Sequence, residues 1–216
     1  MSITTGAGIT FGAGIELFQV VRYAYQFNGA SWLNVLGNLS DWNLGTTWTI
    51  EWWTDASAST LPNNIFTTLC QGPGAGIDMF YQAGNLVINN GTTVYTEPTF
   101  GLWTHVAIVQ VAGVITAYYN GVSVATFTLN YNLTDQTDYL TVGRRGNNNF
   151  QYFNGMMSDI RINNTAVYTT NFTPTLGPLT DIPGTVLLIS GPTLTDLANR
   201  HTIQSNGVTV INAGPY

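Results

Sequence analysis

The stretch that decides the fold lies at residues 103–173 and is a series of short apolar runs separated by turn residues. Its runs are WTHVAIVQ (103–110), VITAYYNGVSVATFTL (114–129), LTVGRRG (140–146), FNGMMSDIRI (153–162) and NFTP (171–174). Asn120 and Gly121 divide the second run, and an Asn-Gly pair favours a two-residue hairpin because both of its residues accept positive φ. The stretch therefore predicts consecutive antiparallel strands.

The same runs carry a recognisable family pattern. It consists of Trp103, His105 and Val106; Tyr119-Asn120-Gly121 with Val124-Ala125; Thr141-Val142-Gly143; Phe153-Asn154-Gly155 with Asp159-Ile160-Arg161; and Tyr168 with Asn171-Phe172-Thr173-Pro174. This pattern resembles the concanavalin A-like, laminin-G-like jelly-roll domain, particularly the form found in phage structural proteins. The resemblance implies an all-β fold, an antiparallel two-sheet jelly-roll sandwich. It implies little about activity.

Strand patterns continue on the N-terminal side of this stretch. Residues 47–54 alternate, so that Trp48, Ile50 and Trp52 share one face, as is typical of a strand with one face in the core. Their sequence TWTIEWW and the aromatic run at 23–29 resemble core strands of the same family. Further strands are expected at 65–70, 77–81, 85–89 and 92–96. No apolar run keeps the period of a long helix.

We expect a Gly-rich N-terminal arm (1–20) and one sandwich domain (21–216). The arm repeats GAGITF as GAGIEL, and glycine at this density is costly to order, so we expect a partner or a groove to hold it. The apolar residues expected to make assembly contacts are Ile9, Phe11, Ile15 and Leu17. A C-terminal segment (179–216) resembles a hairpin of the family and is expected to close the sandwich beside the first strand.

The composition limits the classes of partner. Only 7% of the residues are charged, lysine is absent and the formal net charge is −6. Nucleic-acid binding needs clustered Lys and Arg and is not expected, because only Arg144-Arg145 offers such a cluster. Cys70 is the only cysteine, which excludes an intrachain disulfide. We expect neither a signal peptide nor membrane insertion, since the sequence shows no leader pattern and no apolar run of membrane length.

The carboxylates and histidines do not suggest catalysis. A glycosidase needs two neighbouring carboxylates, and the glucanase branch of the superfamily carries them as Glu-x-Asp-x-x-Glu on one strand. The glutamates Glu16, Glu51 and Glu97 form no such motif. His105 and His201 lie near no Gly-x-Ser-x-Gly sequence, so structural roles are expected for both. The chain is therefore predicted not to be an enzyme and to need no cofactor.

Calcium is the metal that some laminin-G-like domains bind through carboxylates and carbonyl groups of their rim loops. The ion takes about six to eight oxygen ligands. The densest acidic loop contains Asp135 and Asp138 with Asn132. Such residues are more often solvated or turn-forming, so both aspartates are weak calcium candidates and no metal is expected. Asp78 and Asp159 are weaker candidates still.

Sugar binding combines an aromatic face for stacking with planar polar groups that read hydroxyls. The best candidate patch follows the Thr-Val-Gly strand, and its glycan-binding candidates are Arg144, Arg145, Asn147, Asn149 and Tyr152, with Asn148 and Phe150 among them. The aromatic residues Trp32, Trp42 and Tyr131 are candidates for the same rim or for a distant position. The alternative is that these aromatic side chains complete the core or a subunit interface.

Two functions remain open at this point. The first is a noncatalytic phage virion structural protein, either a capsid decoration or a tail or fibre component on the particle surface. Its partners would be other virion proteins, held through the N-terminal arm, further copies of the chain, and a host-surface glycan. The alternative is a carbohydrate-binding, lectin-like adhesion module.

Overall fold

Antiparallel strands make up nearly all of the regular structure. The computed structural model describes residues 3–4, 10–11, 22–56, 63–68, 78–82, 85–88, 92–96, 103–128, 140–145 and 151–215. The strands in them are β1 (Ile3–Thr4), β2 (Thr10–Phe11), β3 (Tyr23–Asn28), β4 (Trp32–Leu36), β5 (Thr47–Asp55), β6 (Asn63–Thr68), β7 (Asp78–Gln82), β8 (Asn85–Ile88), β9 (Thr92–Thr96), β10 (Thr104–Val111), β11 (Val114–Tyr119), β12 (Val122–Thr128), β13 (Leu140–Val142), β14 (Asn154–Asn163), β15 (Thr185–Ile189), β16 (Thr202–Asn206) and β17 (Thr209–Asn212). One 3-10 turn, Leu39–Trp42, is the only helical element of the described residues.

The strands form two large sheets and one small pair. The first sheet has the order β12-β11-β10-β5-β14-β3-β17, with β15 also paired to β14. The second sheet has the order β16-β4-β13-β6-β7-β8-β9, and β1 pairs with β2 alone. Every pair of neighbouring strands is antiparallel. The expected all-β jelly-roll sandwich is confirmed.

The core lies between the two large sheets and is rich in aromatic side chains. Trp48, Ile50 and Trp52 of β5 are completely buried there, which is the face that their alternation predicts. Leu33 and Val35 of β4 meet them from the second sheet and are also completely buried. Alternation along facing strands thus sends one set of side chains inward from each sheet.

The other face of β5 is buried as well, which differs from the one-sided burial expected for this strand. Residues 164–183, here called the covering segment, lie over the outer face of the first sheet. Thr49 Oγ1 donates to the Thr165 carbonyl at 2.9 Å and accepts from the Val167 N–H at 2.9 Å. Tyr168 and Phe172 stack on each other at 3.6 Å and pack on the same face.

The Asn-Gly hairpin forms between β11 and β12 as predicted. Asn120 and Gly121 have φ of 48° and 78°, the left-handed geometry of a two-residue turn. Asn120 Oδ1 also accepts the His105 N–H at 2.9 Å, which ties the turn to β10. The Phe172 N–H donates to the Gly121 carbonyl at 2.9 Å, so the covering segment is fastened to the turn.

The C-terminal strands enter both sheets at the same side of the sandwich. β17 pairs with β3, and β16 pairs with β4. Gly207, with φ of 82°, lies in the turn between them, which crosses from the second sheet to the first. Strands β6 to β9 begin and end within two residues of the expected ranges, since turn residues mark a strand end only approximately.

Candidate functional site

The candidate site lies on the outer face of the second sheet, beside β4. Leu33 and Val35 point into the core, so Trp32 and Asn34 point outward and remain partly exposed. Trp32 Nε1 donates to Asn34 Oδ1 at 3.1 Å, and Asn34 Nδ2 donates to Gln204 Oε1 of β16 at 3.1 Å. The indole is therefore held in one orientation at the edge of a small amide network.

The loop after β13 brings two predicted residues to the same place. Its two ends meet where the Phe153 N–H donates to the Gly143 carbonyl at 2.9 Å. Gly143 has φ of 82°, which turns the chain back over the sheet. Arg144 and Tyr152 stand at this closed base, and the Arg144 carbonyl accepts a 2.8 Å hydrogen bond from Thr141 Oγ1.

Trp32, Arg144 and Tyr152 form one cluster, here called the rim cluster. The Arg144 Cζ lies 4.3 Å from the centre of the Trp32 ring, within the range of a cation–π contact. The Tyr152 and Trp32 ring centres are 5.8 Å apart, and their planes are inclined by 50°. The guanidinium thus lies over the indole, while the tyrosine ring forms a second, inclined aromatic surface.

Arg145 adds a polar pair beside the rim cluster. Its Nη1 donates to Gln151 Oε1 at 3.3 Å, and its Nη2 lies 3.8 Å from Asp78 Oδ2 of β7. The side chains of Arg145 and Asp78 are 41% and 21% exposed, so water screens the pair and its stabilising effect is small. A ligand with hydroxyl groups can accept from the guanidinium and donate to the carboxylate.

The structure therefore brings together three of the five predicted glycan-binding residues, Arg144, Arg145 and Tyr152, and adds Trp32 to them. Asn147 and Asn149 lie outside the described residues, as do the calcium candidates Asp135 and Asp138. The arm residues Ile9, Ile15 and Leu17 also lie outside them, and Phe11 belongs to β2.

Other residues of the site come from separate strands, and the aromatic candidate Trp42 lies elsewhere. Trp42 is completely buried against His201 and does not belong to the rim cluster. Asn34 and Gln204 were not predicted, and Asp78 was considered only as a weak calcium candidate, because only the pairing of strands distant in sequence makes them neighbours. The alternation of β4 could have shown that Asn34 shares a face with Trp32.

A second polar cluster is sealed between the first sheet and the covering segment. Glu51 is completely buried and accepts from Arg161 Nε at 2.8 Å and from Tyr168 Oη at 2.8 Å. His105 Nε2 lies 3.1 Å from the same carboxylate. Burial alone would raise the pKa of Glu51, but the hydrogen bond from His105 and the charge of Arg161 outweigh it and lower the pKa.

This second cluster is closed to solvent. Its carboxylate has no exposed surface from which a substrate could be reached. His105 is also buried, because the covering segment lies over it, and the structural role expected for it stays a prediction.

His201 is held in a third polar arrangement near the C-terminal hairpin. Its ring stacks on Trp42 at 4.6 Å, with Nδ1 3.1 Å from Asp196 and Nε2 3.3 Å from Asp41. Burial tends to raise the pKa of Asp196. The hydrogen bonds from His201 and from the backbone N–H groups of residues 188, 198 and 200 outweigh that effect and lower it.

Two other kinds of site are absent from the part of the chain that the structure describes. No three His, Cys, Asp or Glu side chains there are arranged to hold a metal ion. No helix in that part has the length and apolar character needed to cross a bilayer.

Comparisons with known proteins agree with this fold. A structure of a candidate carbohydrate-binding protein from Bacteroides ovatus has a TM-score of 0.72 at 18% identity, covering 89% of this chain and 60% of that chain. The heptameric SAP-like pentraxin from Limulus polyphemus gives 0.61 at 14% identity, with 92% and 99% covered. Domain 4 of an extracellular arabinanase from Geobacillus stearothermophilus, solved with arabinotriose, gives 0.56 at 19% identity, with 70% and 78% covered.

At these identities the structural likeness establishes the fold alone, and this chain spans 60% of the length of the Bacteroides protein. No curated protein matches the chain. A laminin-G-type family model, described as the concanavalin A-like lectin/glucanases superfamily, matches residues 27–170. The association with phage proteins stays a prediction. Because the family model covers well over half of the sequence, the chain belongs to the laminin-G-type branch of the concanavalin A-like lectin/glucanase superfamily.

Proposed function

We propose that this chain is a noncatalytic carbohydrate-binding module that holds its ligand at the rim cluster. The observation that carries the proposal is the grouping of Trp32, Arg144 and Tyr152, all partly exposed, on the outer face of the second sheet. Tyr152 supplies an aromatic surface on which the C–H groups of a sugar ring can stack. The guanidinium of Arg144, already fixed on Trp32, directs N–H donors toward ring hydroxyls without a large loss of side-chain entropy.

The polar neighbours extend this recognition to more than one hydroxyl. Arg145 and Asp78 lie side by side and partly exposed, as a donor and an acceptor. Asn34 and Gln204 are already hydrogen-bonded to each other, so their amides keep one orientation. Polar groups held in place by neighbours are the usual means of fixing a ligand's orientation in a shallow site.

The superfamily and its structural neighbours support a sugar-binding role more than a role in a virion. One neighbour is a candidate carbohydrate-binding protein, and another is a domain solved with arabinotriose. Glu51, the one glutamate among the described residues, is completely buried and cannot reach a ligand, which supports the noncatalytic part of the proposal. We expect no release of reducing sugar from polysaccharides, with or without Glu51.

A glycan array tests the proposal directly. The chain should bind a defined set of oligosaccharides, and Arg144→Ala and Tyr152→Ala should each weaken binding by about tenfold or more, the effect of losing one stacking or charge-assisted contact. Tyr23→Ala is the matched control, because Tyr23 is also partly exposed but belongs to β3 of the other sheet. The proposal fails if the array stays silent, or if the control variant loses binding as much as Tyr152→Ala does.

A further inference from the structure

We infer that the ligand is a linear oligosaccharide with an anionic substituent, which runs from the rim cluster along β4 and β16 to a second subsite around Arg200. This inference rests on the function proposed above and deepens it by naming the class of sugar. It is carried by the strand register, by a cavity at the C-terminal hairpin and by the charges around that cavity.

The register of β4 and β16 makes one continuous face between the rim cluster and the subsite around Arg200. Trp32 pairs with Asn206, Asn34 with Gln204, and Leu36 with Thr202, so these directly opposed side chains share the outer face. The Asn34–Gln204 hydrogen bond lies halfway along it. Four residues of strand separate the level of Asn206 from that of Thr202, a distance of about 14 Å. That distance is longer than one sugar ring.

A cavity of about 420 Å³ lies at the Thr202 end of this face. Volumes of a few hundred Å³ are typical of small-ligand sites. Its polar walls come from Thr195, Asn199, Arg200 and Thr202, all of which are exposed. These side chains offer two hydroxyls, an amide and a guanidinium, the groups that hydrogen-bond to a sugar.

The carboxylate in the cavity wall is buried, and hydrogen bonds from the protein occupy its oxygens. Asp196 Oδ1 accepts the N–H groups of Leu188 and Ala198 at 3.0 and 2.9 Å. Its Oδ2 accepts those of Arg200 and His201 at 3.1 and 3.0 Å and faces the His201 ring at 3.1 Å. These bonds fix the backbone of Arg200, and the N–H donors around the buried carboxylate offset part of the field of its negative charge.

Arg200 is therefore the charge that a ligand meets. Among the described residues, its guanidinium has neither a hydrogen bond nor an ion pair, and the side chain is exposed. Asp41, the other carboxylate beside His201, is not part of the described cavity wall. A guanidinium fork binds carboxylate or sulfate oxygens with paired hydrogen bonds, which a neutral hydroxyl cannot match. In a chain of net charge −6, such a localised cation selects for an anionic group.

The experiment compares anionic and neutral oligosaccharides, from monosaccharide to hexasaccharide, first on an array and then by calorimetry. The wild-type chain should bind anionic oligosaccharides more tightly as they lengthen. Arg200→Gln should weaken binding of the long anionic ones by about tenfold or more and leave the short ones unchanged. Arg200→Lys should recover only part of the loss. Arg22→Gln, which makes the same change of charge beside β3, is the control and should bind as wild type does.

The outcomes separate this inference from the proposed function. If Tyr152→Ala abolishes sugar binding but Arg200→Gln has no effect, or if neutral and anionic oligosaccharides bind equally, the inference is wrong and the proposed function stands. If the wild-type chain binds no sugar at all, both are wrong. A length dependence that disappears in Arg200→Gln supports both.

Discussion

Glu51 shows how a single residue links strands that are distant in sequence. Its carboxylate joins Arg161 of β14, His105 of β10 and Tyr168 of the covering segment. We expect Glu51→Gln to lower the free energy of unfolding by about 3–5 kcal/mol, because Arg161 would keep a buried charge without its counter-charge. Urea unfolding followed by tryptophan fluorescence measures the change.

Two further variants show whether the missing counter-charge causes that loss. Asp181→Asn removes an exposed carboxylate and should change stability by no more than about 0.5 kcal/mol. Adding Arg161→Met to Glu51→Gln should restore much of the stability, since an apolar side chain needs no counter-charge. An additive double variant would contradict this explanation.

The same carboxylates set the response to acid. Glu51 and Asp196 both have a lower pKa folded than unfolded, so each contributes stability above its unfolded value, about 4.3 and 3.9, and loses it as the pH falls through the folded value. The urea midpoint should therefore fall steadily below about pH 5. Glu51→Gln should flatten that fall, and an equally steep acid dependence in this variant would exclude Glu51 as a cause.

Local sequence predicted one face of β5 and could not predict the other. Alternation identified Trp48, Ile50 and Trp52 as core residues, and all three are completely buried. The same alternation left Glu51 on an outer face, where a glutamate is normally solvated. What buries it is a segment more than a hundred residues further along the chain, and only the folded topology brings that segment there.

Among the elements, the β11–β12 turn needs glycine at Gly121 for two reasons, its positive φ and its contact with the covering segment. The turn at Gly45 shares only the first reason. Gly121 has φ of 78°, and a Cβ there would collide with the Phe172 carbonyl of the covering segment. Gly45 has φ of 70° but open space where its Cβ would point. Gly45→Ala should therefore lower the free energy of unfolding by about 1 kcal/mol, through backbone strain alone. Gly121→Ala should lower it by about 2–4 kcal/mol, because the contact with Phe172 is lost as well.

Thermal unfolding of both variants measures this difference, which reflects how firmly the covering segment is fastened to the turn. Gly121→Ala should also accelerate exchange of the Phe172 amide hydrogen, whose bond to the Gly121 carbonyl is displaced. Equal losses of stability in the two variants would mean that the contact with Phe172 contributes nothing beyond the turn itself.

In the candidate site too, local sequence predicted some residues and could not predict others. The loop after β13 was found from sequence because its arginines and aromatic residues are close together in the chain. Trp32 was considered but could not be placed, since its position depends on β4 pairing with β13. Neither Gln204 nor Asp78 carries a local signal for sugar binding, and strand register alone brings them to the same face.

For the whole molecule, the expected role in a virion stays a prediction, and so does self-association. The strands of the two large sheets with a partner on one side only are β9, β12, β15, β16 and β17, and none of them contains a charged residue. Uncharged edges leave backbone N–H and C=O groups open to pairing with another strand, and natural proteins usually block such edges with lysine or proline. A chain without lysine lacks the commonest of these protections.

We therefore expect the chain to form oligomers through β12, the edge strand with an exposed, β-branched sequence, VSVATFT. Thr126→Lys places a charge on an exposed position of this strand and should shift the population toward monomer, because pairing with a second copy would bring two lysines close together. Thr170→Lys adds the same charge on the covering segment and should leave the mass unchanged. Light scattering coupled to size-exclusion chromatography, over a range of concentrations, measures both. A wild-type chain that is monomeric throughout, or oligomers indifferent to Thr126→Lys, would rule out this edge as the interface.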